Sequence, residues 1–159
     1  MTDNSAYRDA LSAAIKHIGI ATYSSGKIFV YLTGKGFPED IASAVVSELI
    51  EREYINDRKA SRKVIISRTG KKQESRDYIL KRLLAAGIAS DVAESVASEL
   101  EPDSKTCYSL YTSLGFEEDS DEIRTEMIDT ALRRGYTYEL ASAVYNVWVD
   151  NLGTDTSGN

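Results

Sequence analysis

A seven-residue pattern that returns three times limits what this chain can fold into. Gly36-Phe37-Pro38-Glu39-Asp40-Ile41-Ala42 is echoed by Gly87-Ile88-Ala89-Ser90-Asp91-Val92-Ala93 and again by Gly135-Tyr136-Thr137-Tyr138-Glu139-Leu140-Ala141. The glycines stand about 50 residues apart, a period that belongs to stacked repeats rather than to one irregular core. In each copy a large apolar residue comes directly after the glycine. This suits a helix C-cap, where glycine takes a left-handed conformation and its neighbour packs back on the last turn.

Both flanks of each corner carry helical periodicity. Upstream stand Ile28/Tyr31/Leu32, Ile79/Leu80/Leu83 and Met127/Ile128/Ala131; downstream stand Ile41/Val45/Leu49, Val92/Val96/Leu100 and Leu140/Val144/Trp148. A further helix is expected before each pair, over residues 9–18, 58–69 and 105–114, the latter two stopping at Gly70 and Gly115. Asp57 and Asp103 stand where N-caps belong, and Pro38 suits a helix start, where its missing N–H costs nothing. The expected architecture is all-α: a tandem array of three three-helix repeats (1–56, 57–102 and 103–152), elongated and curved, with a disordered tail at 153–159. Tyr145 and Trp148 supply bulk to close the last unit.

Composition agrees with helices joined by tight turns, since only two prolines occur and 42% of residues are hydrophobic. The lone Cys107 has no intramolecular disulfide partner, and a buried free thiol is expected. The opening stretch lacks the basic start and long apolar run of a signal peptide, and no segment is apolar enough to span a bilayer. A soluble cytoplasmic monomer is the expectation.

The net charge of −6 is unevenly spread. Residues 52–82 hold 11 Lys/Arg against 4 Asp/Glu, whereas 91–126 hold 11 acidic residues against Lys105 and Arg124. On a helical wheel Arg58, Lys59, Arg62 and Lys63 share one face opposite Ala60, Val64 and Ile65, with Ile66 falling among the cations, where it is expected to pack on a neighbouring unit or else to serve as an apolar anchor at the interface. Arg68, Lys71, Lys72 and Arg76 extend the charge across the next turn. Such a segment meets phosphates or acidic groups of a protein partner, or serves only as a solvated face.

Other candidates have simpler structural explanations. Asn56 and Asp57 suit capping, and the run from Glu117 to Glu122 lacks the alternating ligands and central glycine of a calcium loop. His17 is the only histidine and is read as a surface or partly packed helix residue, and the tyrosines as core or edge residues. Ala21, Phe29 and Ile65 stand where a Walker loop needs glycine before Gly26, Gly34 and Gly70, and no G-x-S-x-G or H-E-x-x-H motif occurs. No enzyme, cofactor or metal is therefore expected, and a helical DNA-binding or adaptor module remains an alternative reading.

At four places the sequence resembles the RecX family of regulatory proteins: Leu32-Thr33-Gly34-Lys35-Gly36-Phe37-Pro38-Glu39-Asp40-Ile41, Tyr54-Ile55-Asn56-Asp57, Leu83-Leu84-Ala85-Ala86-Gly87-Ile88 and Ala131-Leu132-Arg133-Arg134-Gly135-Tyr136. These look like the family's "L..KGF...I", "GYL[ND]D", "L..KGI" and "L.RRGF" signatures, in the family's order, and the likeness covers about residues 9–149. Glu53 departs from the pattern by standing where the second signature has glycine. The resemblance implies a tandem array of three-helix repeats. It also implies a non-enzymatic partner of the RecA recombinase filament, meeting single-stranded DNA mainly through that filament. Such a protein restrains filament growth, ATPase and strand exchange in homologous recombination and DNA repair.

Overall fold

The structure, a computed structural model, describes residues 2–155, and among these every regular element is helical. In chain order they are α1 (Thr2–Ile18), α2 (Ser25–Gly34), α3 (Glu39–Glu51), α4 (Asp57–Ile65), a 3-10 turn (Gly70–Lys72), α5 (Arg76–Ala85), α6 (Ser90–Glu99), α7 (Asp103–Ser113), α8 (Asp121–Arg133) and α9 (Tyr138–Asp155). The all-α expectation is borne out.

The three repeated glycines sit in the left-handed region, with φ of 96° at Gly36, 86° at Gly87 and 94° at Gly135. The helix before each closes back on itself: Phe37 N–H donates to Leu32 O, Ile88 N–H to Leu83 O, and Tyr136 N–H to Ala131 O. This is the Schellman arrangement that turns one helix into the next.

The chain forms two compact units. The first comprises Met1–Val64 and Arg82–Val96, with α1 and α2 packed on α3 around an aliphatic cluster that includes Ala14, Ile28, Leu32, Val45 and Leu49. Ile65–Lys81 and Ala97–Asn159 make the second, where α7 and α8 pack on α9 around Leu110, Tyr111, Met127, Tyr145 and Trp148. The second core is aromatic, and its hydroxyls are satisfied: Tyr111 donates to Ala141 O at 2.8 Å, and Tyr145 donates to Asp119. Tyr145 and Trp148 are both buried there. Cys107 is a buried free thiol, and burial pushes its pKa up to about 12, which leaves it chemically quiet.

One junction is built twice, once in each unit. In the first, Ser24 caps α2, and its Oγ donates to Ala86 O at 2.7 Å while Gly26 N–H donates to Gly87 O at 2.8 Å. In the second, Ser75 precedes α5, accepts from Tyr78 N–H, and gives its own N–H to Arg134 O at 3.0 Å. Each contact presses a serine-capped helix start against a glycine corner. A Cβ added to Gly87 would lie 2.5 Å from Ser24 Oγ, and one on Gly135 would strike Tyr78 and Ser75. Nothing lies within 4 Å of the same position at Gly36, so that corner is open.

Asp57 is the first residue of α4 but does not cap it, contrary to its position in sequence; Asn56 Oδ1 does so by accepting from Lys59 N–H at 3.1 Å. The buried Asp57 carboxylate instead accepts from Ser25 N–H at 2.7 Å, Ser25 Oγ at 2.6 Å and Ala89 N–H at 2.9 Å. It thereby supplies negative charge to the starts of α2 and α6, where free amides converge. Asp103 repeats the arrangement in the second unit. It accepts from Arg76 N–H at 2.9 Å at the start of α5, while Pro102 occupies the N-cap of its own helix.

Three further expectations are corrected. Helix α4 ends at Ile65 rather than at 69, and Gly70, at φ 60°, opens the 3-10 turn. Ile66 is therefore off the helical wheel and 78% exposed instead of packed. At the other end α9 continues through Asp155, so residues 153–155 are helical where a disordered tail is expected, and residues 156–159 lie outside the described residues.

Candidate functional site

Two sorts of cation emerge from the basic segment. On α4, Ala60 and Ser61 are buried, with Ser61 Oγ donating to Asp57 O, so the helix is held from its inner side. Lys59, Arg62 and Lys63 stand exposed at spacings of three and four, which places them on one helical face. Arg58 shares that face but is engaged, its Nη2 donating to Ser95 Oγ at 2.6 Å.

The cations further along belong to the second unit. Lys71 and Lys72 are exposed on the 3-10 turn. Arg68 is turned inward, its Nε 4.0 Å from the carboxylate of Glu74, which is itself 3% exposed. Arg76 is also inward: its Nη2 donates to Leu100 O, and its backbone meets Asp103. Both guanidinium groups line a small cavity of about 120 Å³ with Thr69, Gln73, Glu74 and Thr106. Arg68 and Arg76 thus support the fold, where the sequence suggests a patch continuous with α4.

No cluster of acidic, histidine or cysteine side chains among the described residues has the makings of a metal site. In the acidic run, Ser120 caps α8 by accepting from Ile123 N–H, and Asp119 receives the Tyr145 hydroxyl. No described helix is long and apolar enough to cross a membrane.

Sequence reasoning misses one arrangement. His17, exposed near the end of α1, stacks on Tyr31 of α2 with ring centroids 3.8 Å apart and planes 9° from parallel. Tyr23, from the α1–α2 connection, lies 4.9 Å from the same imidazole. Lys35 Nζ stands 5.5 Å from the Tyr31 ring centroid. Read singly, the three aromatic residues go to surface, core or edge, and only the fold of α1 against α2 brings them together.

These features define an all-helical protein built on recurring glycine corners, with an exposed basic helix face. No family model matches the sequence. It is 22% identical over 158 residues to the regulatory protein RecX of Leuconostoc citreum strain KM20, a match that covers 94% of this chain and 59% of the relative. The chain thus spans less than two thirds of the length of that relative. Its fold is similar to the crystal structure of RecX from Lactobacillus salivarius, with a TM-score of 0.69 at 16% identity, over 90% of this chain and 96% of the other. The resemblance to the RecX family read from the four motifs is borne out by both matches.

Proposed function

We propose that this chain is a three-repeat, RecX-like regulatory protein that associates with the RecA filament on single-stranded DNA and restrains filament growth, ATPase and strand exchange. The observation that carries this reading is the exposed face of Lys59, Arg62 and Lys63, on a helix fixed from behind by Asp57, Ala60 and Ser61. A row of cations on a helix held from its inner side suits phosphates or acidic side chains presented at regular intervals, because the spacing of the charges is set by the helix backbone. The RecX name of the sequence relative supports the class, and the fold supports the scaffold. The protein acts by binding and carries no catalytic residue of its own.

RecA-dependent ATP hydrolysis on single-stranded DNA, measured over a titration of this chain, tests the proposal. Suppression at stoichiometric or lower ratios to RecA is expected. An unchanged rate, with the chain absent from sedimented filaments, would overturn it.

A further inference from the structure

The small cavity of the second unit holds charge that the α4 face does not account for. Arg68, Glu74 and Arg76 line it with Thr69, Gln73 and Thr106, and its volume of about 120 Å³ is room for about four waters at ~30 Å³ each. Buried N–H groups nearly always have an acceptor, yet two here have none: Arg68 Nε and Arg76 Nε are buried without a hydrogen-bond partner. The Glu74 carboxylate, 4.0 Å from Arg68 Nε, balances its charge but stands too far for a hydrogen bond. Arg76 gives its Nη2 donor to Leu100 O, which fixes the guanidinium and leaves Nε unmatched. Charge is unmatched as well. Two guanidinium groups meet one buried carboxylate, a net of +1, while Glu101, which also borders the cavity, is exposed and paired with Lys105 at 3.8 Å.

We infer that this cavity binds one inorganic phosphate ion, with Arg68 and Arg76 as its cationic donors and Glu74 as the acceptor for its remaining proton. An oxyanion supplies the acceptors that the two N–H groups lack, and charge-assisted bonds from guanidinium to phosphate are of the strong kind. Water alone would satisfy the N–H groups but leave the net charge unmatched. The volume admits a single tetrahedral ion and excludes a nucleotide or a strand. Glu74 then discriminates among oxyanions. At neutral pH phosphate keeps a proton that it can donate to this buried carboxylate, which only accepts, whereas sulfate has none and is repelled. Arg68 and Arg76 flank the 3-10 turn at Gly70–Lys72, so the bound ion clips both ends of that turn and favours the folded chain in proportion to its concentration.

This inference goes beyond the filament reading: it uses none of Lys59, Arg62 and Lys63, and its test needs neither RecA nor DNA. Radiolabelled inorganic phosphate is dialysed to equilibrium against the full chain in a chloride buffer, with sulfate and thymidine 5′-monophosphate as competitors, and melts are followed by circular dichroism in parallel. Phosphate should bind saturably at one ion per chain, and sulfate should compete about tenfold less well. At equal ionic strength the melting midpoint should rise with phosphate more than with sulfate. Glu74→Gln keeps the shape and removes the charge, and should let sulfate compete as well as phosphate. Arg68→Lys keeps the charge but loses the Nε donor, and should weaken phosphate binding about fivefold. Arg68 is the more exposed of the two, with a quarter of its side chain open, so it keeps the test decisive if Glu74→Gln fails to fold. A cavity that takes up water only, with no saturable binding, would overturn the inference. So would equal competition by sulfate or by the nucleotide in the unaltered chain, or undiminished phosphate affinity in Arg68→Lys.

Discussion

Arg62 and Arg76 lie in one run of positive charge, yet the fold uses them differently. Arg62 is exposed on α4, a helix whose inner side is buried and whose first residue anchors two other helix starts. Arg76 opens α5, where its backbone amide is held by Asp103 and its guanidinium is drawn to the carbonyl of Leu100. Arg68, between them, turns to a buried glutamate. Charge counted along a sequence thus overstates charge available to a partner, because arginine's fork of donors is also well suited to tying up loop carbonyls and buried carboxylates.

The largest effect is expected at the anchor beneath the exposed face. Asp57→Ala strips the acceptor from three donors at the starts of α2 and α6 and should cost about 3 kcal/mol or more, because those donors are left without a partner. Urea denaturation should show this as a large drop in midpoint. A loss below ~1 kcal/mol would mean that water replaces the carboxylate and that α4 is not held from behind.

The glycine corners give a similar contrast between a closed and an open position. Gly87→Val combines a left-handed backbone with a Cβ driven into Ser24 Oγ and close to Lys27 N, and should cost about 3 kcal/mol. Gly36→Val meets only the backbone strain and should cost about 1–2 kcal/mol. Thermal melts of the two variants should differ clearly in midpoint; equal losses would deny the Ser24 junction its role.

Smaller effects separate the two arginines. Arg76→Ala should lose about 2 kcal/mol, since a loop carbonyl loses a charged donor, and Arg62→Ala should stay within about 0.5 kcal/mol of wild type. The smallest effect has the opposite sign. Glu53 holds φ at 64°, left-handed for a residue with a side chain, at the position where the resembled "GYL[ND]D" signature has glycine. Glu53→Gly should raise stability by about 0.5–1 kcal/mol in the same denaturation assay, the relief of strain slightly exceeding the added freedom of the unfolded chain.

Much of this fold is legible in the sequence, because glycine corners and three-four apolar spacing are local signals. Gly36, Gly87 and Gly135 announce themselves by the large apolar residue directly after each, and the helices on either side can be read from period alone. The end of α4 cannot. Val64, Ile65 and Ile66 read as a continuing helix, and nothing local signals that the chain leaves it at Ile65 to turn Arg68 toward Glu74. Asp57 is misread for a related reason: a capping residue and an anchor for distant amides are the same residue type at the same place. One signal is present, since Ser24 and Ser75 each stand twelve residues before a repeated glycine, marking the helix starts that dock at the corners. The His17–Tyr31 stack has no such mark, because it depends on the approach of two helices whose aromatic positions carry no shared spacing.

The proposal stands or falls on whether the α4 face, rather than the whole basic segment, acts on the filament. The sharpest test compares Lys59→Glu/Arg62→Glu/Lys63→Glu with wild type in RecA ATPase assays on single-stranded DNA, with circular dichroism melts run in parallel. An unchanged melt is expected, because the three side chains stand in solvent, together with at least a tenfold rise in the concentration needed for suppression. A folded triple variant that suppresses RecA at wild-type concentrations would contradict the proposal.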